Sequence, residues 1–264
     1  MKRLTIKLIC SLFLVATVFS TVAAAQEAEE EKTPNLASVW VMTIKTGMYD
    51  EFMDSAKEHM AFRKENADSR AWQVYTPVIG EGVGKTVSFR YCCFDWADED
   101  AAAAEAIEKG FGEHWTANVD QFVESYAHYL SAIDMENSLW GDEEGPFQYF
   151  GVTSWTIEPA KYYDFETMKA KYAQIAKEHN WADGKLYWAW TTRIGGKSQE
   201  ALIAPFKDYA DMAEPEQSFR ELVVEVVGEE KAQAMFAKFS ATLSNEEYTV
   251  WRLIPELSMA EDKE

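Results

Sequence analysis

This chain carries the same pattern twice. Val39–Phe52 reads V-W-V-M-T-I-K-T-G-M-Y-D-E-F, and Val152–Phe165 reads V-T-S-W-T-I-E-P-A-K-Y-Y-D-F. A Thr-Ile pair and the closing Phe recur 113 residues apart. The same offset relates Asp95-Trp96-Ala97-Asp98 to Asp208-Tyr209-Ala210-Asp211, and Leu139-Trp140 parallels Val250-Trp251 at an offset of 111. So long a period signals duplication of a whole folding unit, not the short stacked repeat of a solenoid.

Each copy reads as the same order of elements. Val39–Thr46 alternates and is rich in β-formers, which predicts a strand. In the next segment, 48–66, Phe52, Met53, Ala56 and Met60 recur at helical spacing. A second strand follows over 71–79, then the glycine-rich turn 80–84, and a third strand over 86–94. Residues 101–133 read as mostly helical, broken near Gly110 and Gly112, with a short fourth strand over 135–140. The second copy gives strands at 149–157, 185–194, 200–206 and 247–254, with helices over 161–179 and 208–243. The order is βαββαβ twice, the split βαβ or ferredoxin-like unit. Val87, Phe89 and Tyr91 alternate with Ser88, Arg90 and Cys92, and Leu186, Trp188 and Trp190 alternate with Tyr187 and Ala189. Sheets this apolar need cover on both faces. The expected fold class is therefore α+β, with two tandem ferredoxin-like repeats packed sheet to sheet as an intrachain barrel.

Outside the repeats, Lys2, Arg3 and Lys7 precede an uncharged stretch ending in Ala23-Ala24-Ala25, the three parts of a cleavable signal peptide. Ser11, Thr17, Ser20 and Thr21 interrupt its apolar part, which disfavours a permanent membrane anchor. The expected division is signal peptide 1–25, flexible acidic leader 26–36, first repeat 37–145, second repeat 146–255 and acidic tail 256–264. Localisation is then periplasmic or secreted, with no membrane span after processing. Loss of the three basic residues takes the net charge from −20 to −23. Such a surface repels phosphate backbones, so nucleic acid is not an expected partner. Cys92 and Cys93 are adjacent, and neighbouring strand side chains point to opposite faces. They are read as two small buried residues, with a redox pair as the lesser alternative.

The tandem pattern, with the strand-to-helix passage Phe94-Asp95-Trp96-Ala97-Asp98, resembles the dimeric α+β barrel superfamily over roughly residues 38–255. That group includes antibiotic-biosynthesis-type monooxygenases, NIPSNAP-like proteins and tandem chlorite-dismutase-like haem proteins. The resemblance implies a pocket between sheet and helices or inside the barrel, suited to small aromatic or apolar molecules. A shared fold does not assign an activity.

No catalytic set declares itself. Gly80–Thr86 has one residue too few for a phosphate loop and leads into a strand, so it reads as a hairpin turn. There is no Gly-x-Ser-x-Gly elbow. His59, His114, His128 and His179 show no metal-ligand spacing and read as surface or capping residues, with His128 on a helix opposite Lys238 of the second copy. His114 and Trp115 are read as a pocket rim. The resemblance implies that a haem would take its axial His from the second copy's helical region, and 218–243 contains no His, which argues against haem; no cofactor and no metal are expected. Candidate ligand-binding residues are Trp72, Tyr75, Arg90, His114, Trp115, Trp155, Trp188, Trp190 and Arg193. Aromatic walls with a guanidinium suit an organic anion. The alternative for these residues is core packing by Trp and pairing of Arg with acids at the barrel rim. The expected function is an exported binding protein for a small organic ligand, monomeric or homodimeric. The alternative is a cofactor-independent monooxygenase or isomerase, with haem binding third.

Overall fold

The computed structural model describes residues 35–140, 147–197 and 199–259. The signal segment, most of the acidic leader and the last residues of the tail lie outside the described residues. Eight strands, β1 (Leu36–Ile44), β2 (Gln73–Ile79), β3 (Thr86–Phe94), β4 (Val123–Leu139), β5 (Tyr149–Ile157), β6 (Trp188–Ile194), β7 (Glu200–Phe206) and β8 (Leu243–Leu253), close into one barrel in the order β1-β3-β2-β8-β5-β7-β6-β4. Neighbouring strands run antiparallel. The first copy contributes β4-β1-β3-β2 and the second β8-β5-β7-β6. The two seams are β2–β8 and β4–β6. Closure within one chain removes the sheet edges and lets each copy cover the other's inner face.

The helices among the described residues are α1 (Tyr49–Glu65), α2 (Trp96–Glu108), α3 (Phe111–Asn118), α4 (Tyr162–Glu178), α5 (Phe219–Val227) and α6 (Glu229–Ser240). Helix α1 buries Phe52, Ala56, His59 and Met60, one stripe at helical spacing. Asp50 and Glu51 in its first turn and Arg63 and Lys64 in its last suit the helix dipole. The repeated Asp-aromatic-Ala-Asp motif proves to be a turn-and-cap device. Asp95 Oδ1 accepts from the amides of Ala97 (2.7 Å) and Asp98 (3.0 Å), and Asp208 Oδ1 accepts from those of Ala210 (2.7 Å) and Asp211 (3.0 Å). The motif recurs because both copies need the same chain reversal after the third strand.

Three expectations are corrected. The region 101–133 is not helical throughout: β4 begins at Val123 and runs 17 residues. Tyr126, His128, Leu130 and Ala132 alternate over a strand period, which the flanking polar residues Glu124, Ser125 and Glu136 disguise. His128 therefore sits on a strand. It pairs with Trp40, while Tyr248 pairs with Thr153, which stands 113 residues after Trp40. The counterpart of His128 is thus Tyr248, not Lys238, and the fourth strands are offset by more than the 111 residues read from Leu-Trp and Val-Trp. Ser38 Oγ meets His128 Nε2 at 3.0 Å; in the second copy Gly151 replaces Ser38, and a Cβ there would stand 2.6 Å from the Tyr248 hydroxyl. Cys92 and Cys93 are exposed and joined to each other by a disulfide across a cis peptide bond.

Candidate functional site

Between the first copy's sheet and its helices lies a cavity of about 300 Å³. Trp40 and Met42 of β1, Phe89 of β3 and Trp72, just before β2, form its sheet side, and Met60 of α1 and Trp115 of α3 its helix side. The polar lining comes from His59, Arg63, Thr116, Asp120 and Tyr126. Apolar walls with a few convergent polar groups are the usual make-up of a small-molecule site.

A hydrogen-bonded chain supports the cavity from α1. Asp68, with a fully buried carboxylate, binds Arg63 Nη1 at 2.5 Å, Arg70 Nε at 3.0 Å and the indole N–H of Trp72 at 3.0 Å. Burial alone would raise its carboxyl pKa, but the charges of Arg70 and Arg63 hold it below the usual carboxylate range. Arg63 Nε donates to His59 Nε2 at 2.7 Å, and Nδ1 of His59 lies 3.1 Å from Nδ1 of His114. Burial, then the Arg63 charge, then His114 bring His59 down to about 3. His59 is thus neutral. Because its Nε2 accepts from Arg63, the network assigns its proton to Nδ1, donated to His114. His114 stacks on Phe62 with centroids 4.2 Å apart. Opposite, the Tyr126 hydroxyl donates to Asp120 Oδ1 at 2.6 Å and accepts from Trp115 Nε1 at 2.9 Å. Burial and the Asp120 hydrogen bond push its pKa up to about 12.

The second copy fills the same place. Where β1 has Met42 opposite Tyr126, β5 has Trp155 opposite Glu246, and Trp155 Nε1 donates to Glu246 at 2.6 Å. Trp155 stacks on Trp190 at 5.3 Å and meets Phe239 at 5.9 Å. Phe239 contacts Phe165 and Tyr172, as Trp115 contacts Phe52 and His59 in the first copy. A second, larger and more polar hollow of about 740 Å³ lies elsewhere, bordered by turn residues including His179, Lys185 and Asp211.

The candidates read from the sequence thus fall into three places. Trp72 and Trp115 line the first-copy cavity, and His114 stands behind it through His59. Trp155, Trp188 and Trp190 belong to the second copy's core. Tyr75, Arg90 and Arg193 are on the opposite face of their strands from the helices: Arg90 lies over Tyr75 and over Phe150 of β5, and Arg193 over Tyr129 of β4. Neither arginine forms an ion pair with a described residue, so the alternative of pairing with acids at the barrel rim is not what the described residues show. His59 is fully buried and not a surface or cap residue. Sequence reasoning missed the His59–Arg63–Asp68 chain. Its signal was the i, i+4 placement of His59 and Arg63 on the same stripe as Ala56 and Met60.

No family model and no curated protein matches this chain. Solved structures do. A "putative monooxygenase" from Lactobacillus acidophilus is 8% identical, with a TM-score of 0.50 over 83% of this chain and 94% of its own. A variant of chlorite dismutase from Candidatus Nitrospira defluvii is 8% identical, with a TM-score of 0.51 over 85% of this chain and 93% of its own. At these identities the likeness establishes the fold alone, a closed eight-stranded antiparallel α+β barrel. Among the described residues no helix is long and apolar enough to cross a membrane, and no group of three or more His, Cys, Asp or Glu is placed to hold a metal ion.

Proposed function

We propose that this is an exported binding protein whose first-copy cavity takes a small, mainly apolar aromatic molecule. The observation that carries the reading is the asymmetry of the two copies. One keeps an aromatic-walled cavity of about 300 Å³, and the other closes the matching space with Trp155 and Phe239. Protein interiors are close-packed, so an opening retained on one side of a duplicated frame asks for an occupant.

The polar groups of the cavity favour binding over proton transfer. His59 has its Nε2 lone pair engaged by Arg63 and a pKa near 3, which makes it a poor base. Tyr126 stays protonated, with its hydroxyl both donating and accepting. These groups orient a ligand more readily than they activate one. The histidines also fit haem poorly. Only His59 borders the cavity, and an axial bond from it would have to break the Arg63 contact or the His114 contact. The Lactobacillus and Nitrospira proteins keep an oxygenase or related enzyme open as the second reading, on the shared fold.

Titration with 2-naphthol, followed by tryptophan fluorescence, tests the binding reading. Saturable one-to-one binding is expected, weakened roughly tenfold or more by Met42→Trp, which installs the second copy's filler. No saturable binding, or undiminished affinity in M42W, overturns it. Consumption of oxygen or conversion of the bound naphthol would move the protein to the enzymatic reading.

A further inference from the structure

We propose a second ligand site in the barrel lumen, where Arg90 and Ser88 bind the carboxylate of a small organic acid. The two residues are alternate positions on β3 and share its inner face, while Val87, Phe89 and Tyr91 pack toward the helices. Tyr75 pairs directly opposite Ser88, and the Arg90 guanidinium carbon lies 4.5 Å from the centre of the Tyr75 ring. The Tyr75 ring leans along β2 toward Arg90, its hydroxyl donating at 2.7 Å to Oε1 of Gln73, the residue directly opposite that arginine. Phe150, from the other copy's sheet, closes over it at 5.9 Å.

The polar atoms here are unanswered. Ser88 is 1% exposed, and its Oγ has no hydrogen-bond partner. Arg90 Nε is buried and likewise unpartnered. Arg90 makes no ion pair with any described residue, although the chain holds 45 Asp and Glu against 25 Lys and Arg. In so acidic a protein, an arginine with no carboxylate partner among the described residues leaves room for an anion from outside. Arg90 is half-buried with its Nε shielded from water, and cation–π contact with two rings offsets only part of the cost of a desolvated N–H without an acceptor. A carboxylate supplies what is missing: a bidentate acceptor for the guanidinium and an acceptor for the serine hydroxyl. The rings of Tyr75 and Phe150 suit an apolar or aromatic body on the acid. Arg193, over Tyr129 at 3.9 Å, adds a second positive charge to the lumen; its hydrogen bonds go to the Gly195 carbonyl and to Gln199, both neutral.

The site is independent of the first-copy cavity, and the probes separate them. Calorimetric titration of the full protein with benzoate at low salt is expected to show one site. Arg90→Gln should weaken it roughly ten- to a hundredfold and Ser88→Ala a few-fold, by the worth of charged and neutral hydrogen bonds. Met42→Trp should leave benzoate binding unchanged, and R90Q should leave 2-naphthol binding unchanged. Absence of benzoate binding, or full affinity in R90Q, overturns the proposal and leaves water as the lumen's occupant. Should R90Q fail to fold, S88A decides alone: unaltered benzoate affinity in it overturns the proposal equally.

Discussion

The two copies share a frame and solve the same burial problem with opposite charges. Behind the first copy's sheet, the carboxylate of Asp68 is ringed by Arg63, Arg70 and the Trp72 indole. Behind the second, the buried ammonium of Lys169 is ringed by Asp134 (2.9 Å), Glu166 (2.8 Å) and Glu200 (3.8 Å). Lys169 stands at the position of Ala56 in the repeat and Glu200 at that of Val87, both apolar and fully buried in the first copy. The first copy leaves a cavity beside its polar chain; the second fills the equivalent space with aromatic rings. Duplication thus freed one half to keep an opening while the other took over packing. Buried ion clusters do not by themselves add stability, but removing their central member is costly, because the others are left unpaired.

The largest effect that would sharpen this contrast comes from the filler. Trp155→Ala is expected to lower unfolding free energy by about 3–5 kcal/mol in urea titration, as truncation of a packed indole does. A loss below about 1 kcal/mol would mean that the second copy is not held by its aromatic plug. Next come the two hubs. Asp68→Asn should cost about 3 kcal/mol, since it strands two nearly buried guanidiniums, and Lys169→Met somewhat less, about 2 kcal/mol, since of its partners only Glu200 is buried while Asp134 and Glu166 reach water. A near-neutral result for either would break the mirror relation between the copies.

The smallest effect is the dependence of stability on pH, where the copies should pull in opposite directions. His59 is held down to about 3, by burial first and then by Arg63, from an ordinary 6.5. Between those values the unfolded chain binds a proton that the folded one refuses, so stability falls as pH drops below 6.5. Glu200 is pushed up to about 7 by burial, from an ordinary 4.5. Between 4.5 and 7 the folded chain keeps a proton that the unfolded one loses, so stability falls as pH rises. Each contributes a slope of at most about 1.4 kcal/mol per pH unit. From pH 4.5 to 6.5 the two contributions oppose. Glu200→Gln should therefore make stability climb with pH in that window, and His59→Phe should make it decline. Identical slopes in the two variants would break the comparison.

Much of the frame was legible in the residues. The offset of 113 and the alternation in β1, β3, β5 and β6 defined a duplicated βαββαβ chain, and their two-faced apolarity required one sheet to cover the other. Strand β4 was not legible, because Glu124, Ser125 and Glu136 give a mostly exposed strand the polarity of a surface helix. The exposure of the cysteine pair was hidden as well, since alternation says which face a residue takes but not whether that face is covered at the strand's end. Of the site, the aromatic candidates Trp72 and Trp115 could be found by residue type. Sorting them from Trp155, Trp188 and Trp190 could not, because a Trp that walls a cavity and a Trp that plugs one have the same local pattern.

The sequence by itself determined the order of elements, their duplication and the need for an internal partner sheet, because periodicity and burial are local properties that each strand carries along its own length. Only the tertiary structure decided which copy is open, which arginines lack an acid partner among the described residues and which histidine is forced neutral. Those depend on what stands across the barrel or behind the sheet: Met42 against Tyr126 or Trp155 against Glu246, Arg63 against His59, Phe150 over Arg90. Packing density and electrostatic partnership are set by such neighbours distant in sequence: Met42 and Trp115 border a cavity in one copy, and Trp155 and Phe239 pack together in the other.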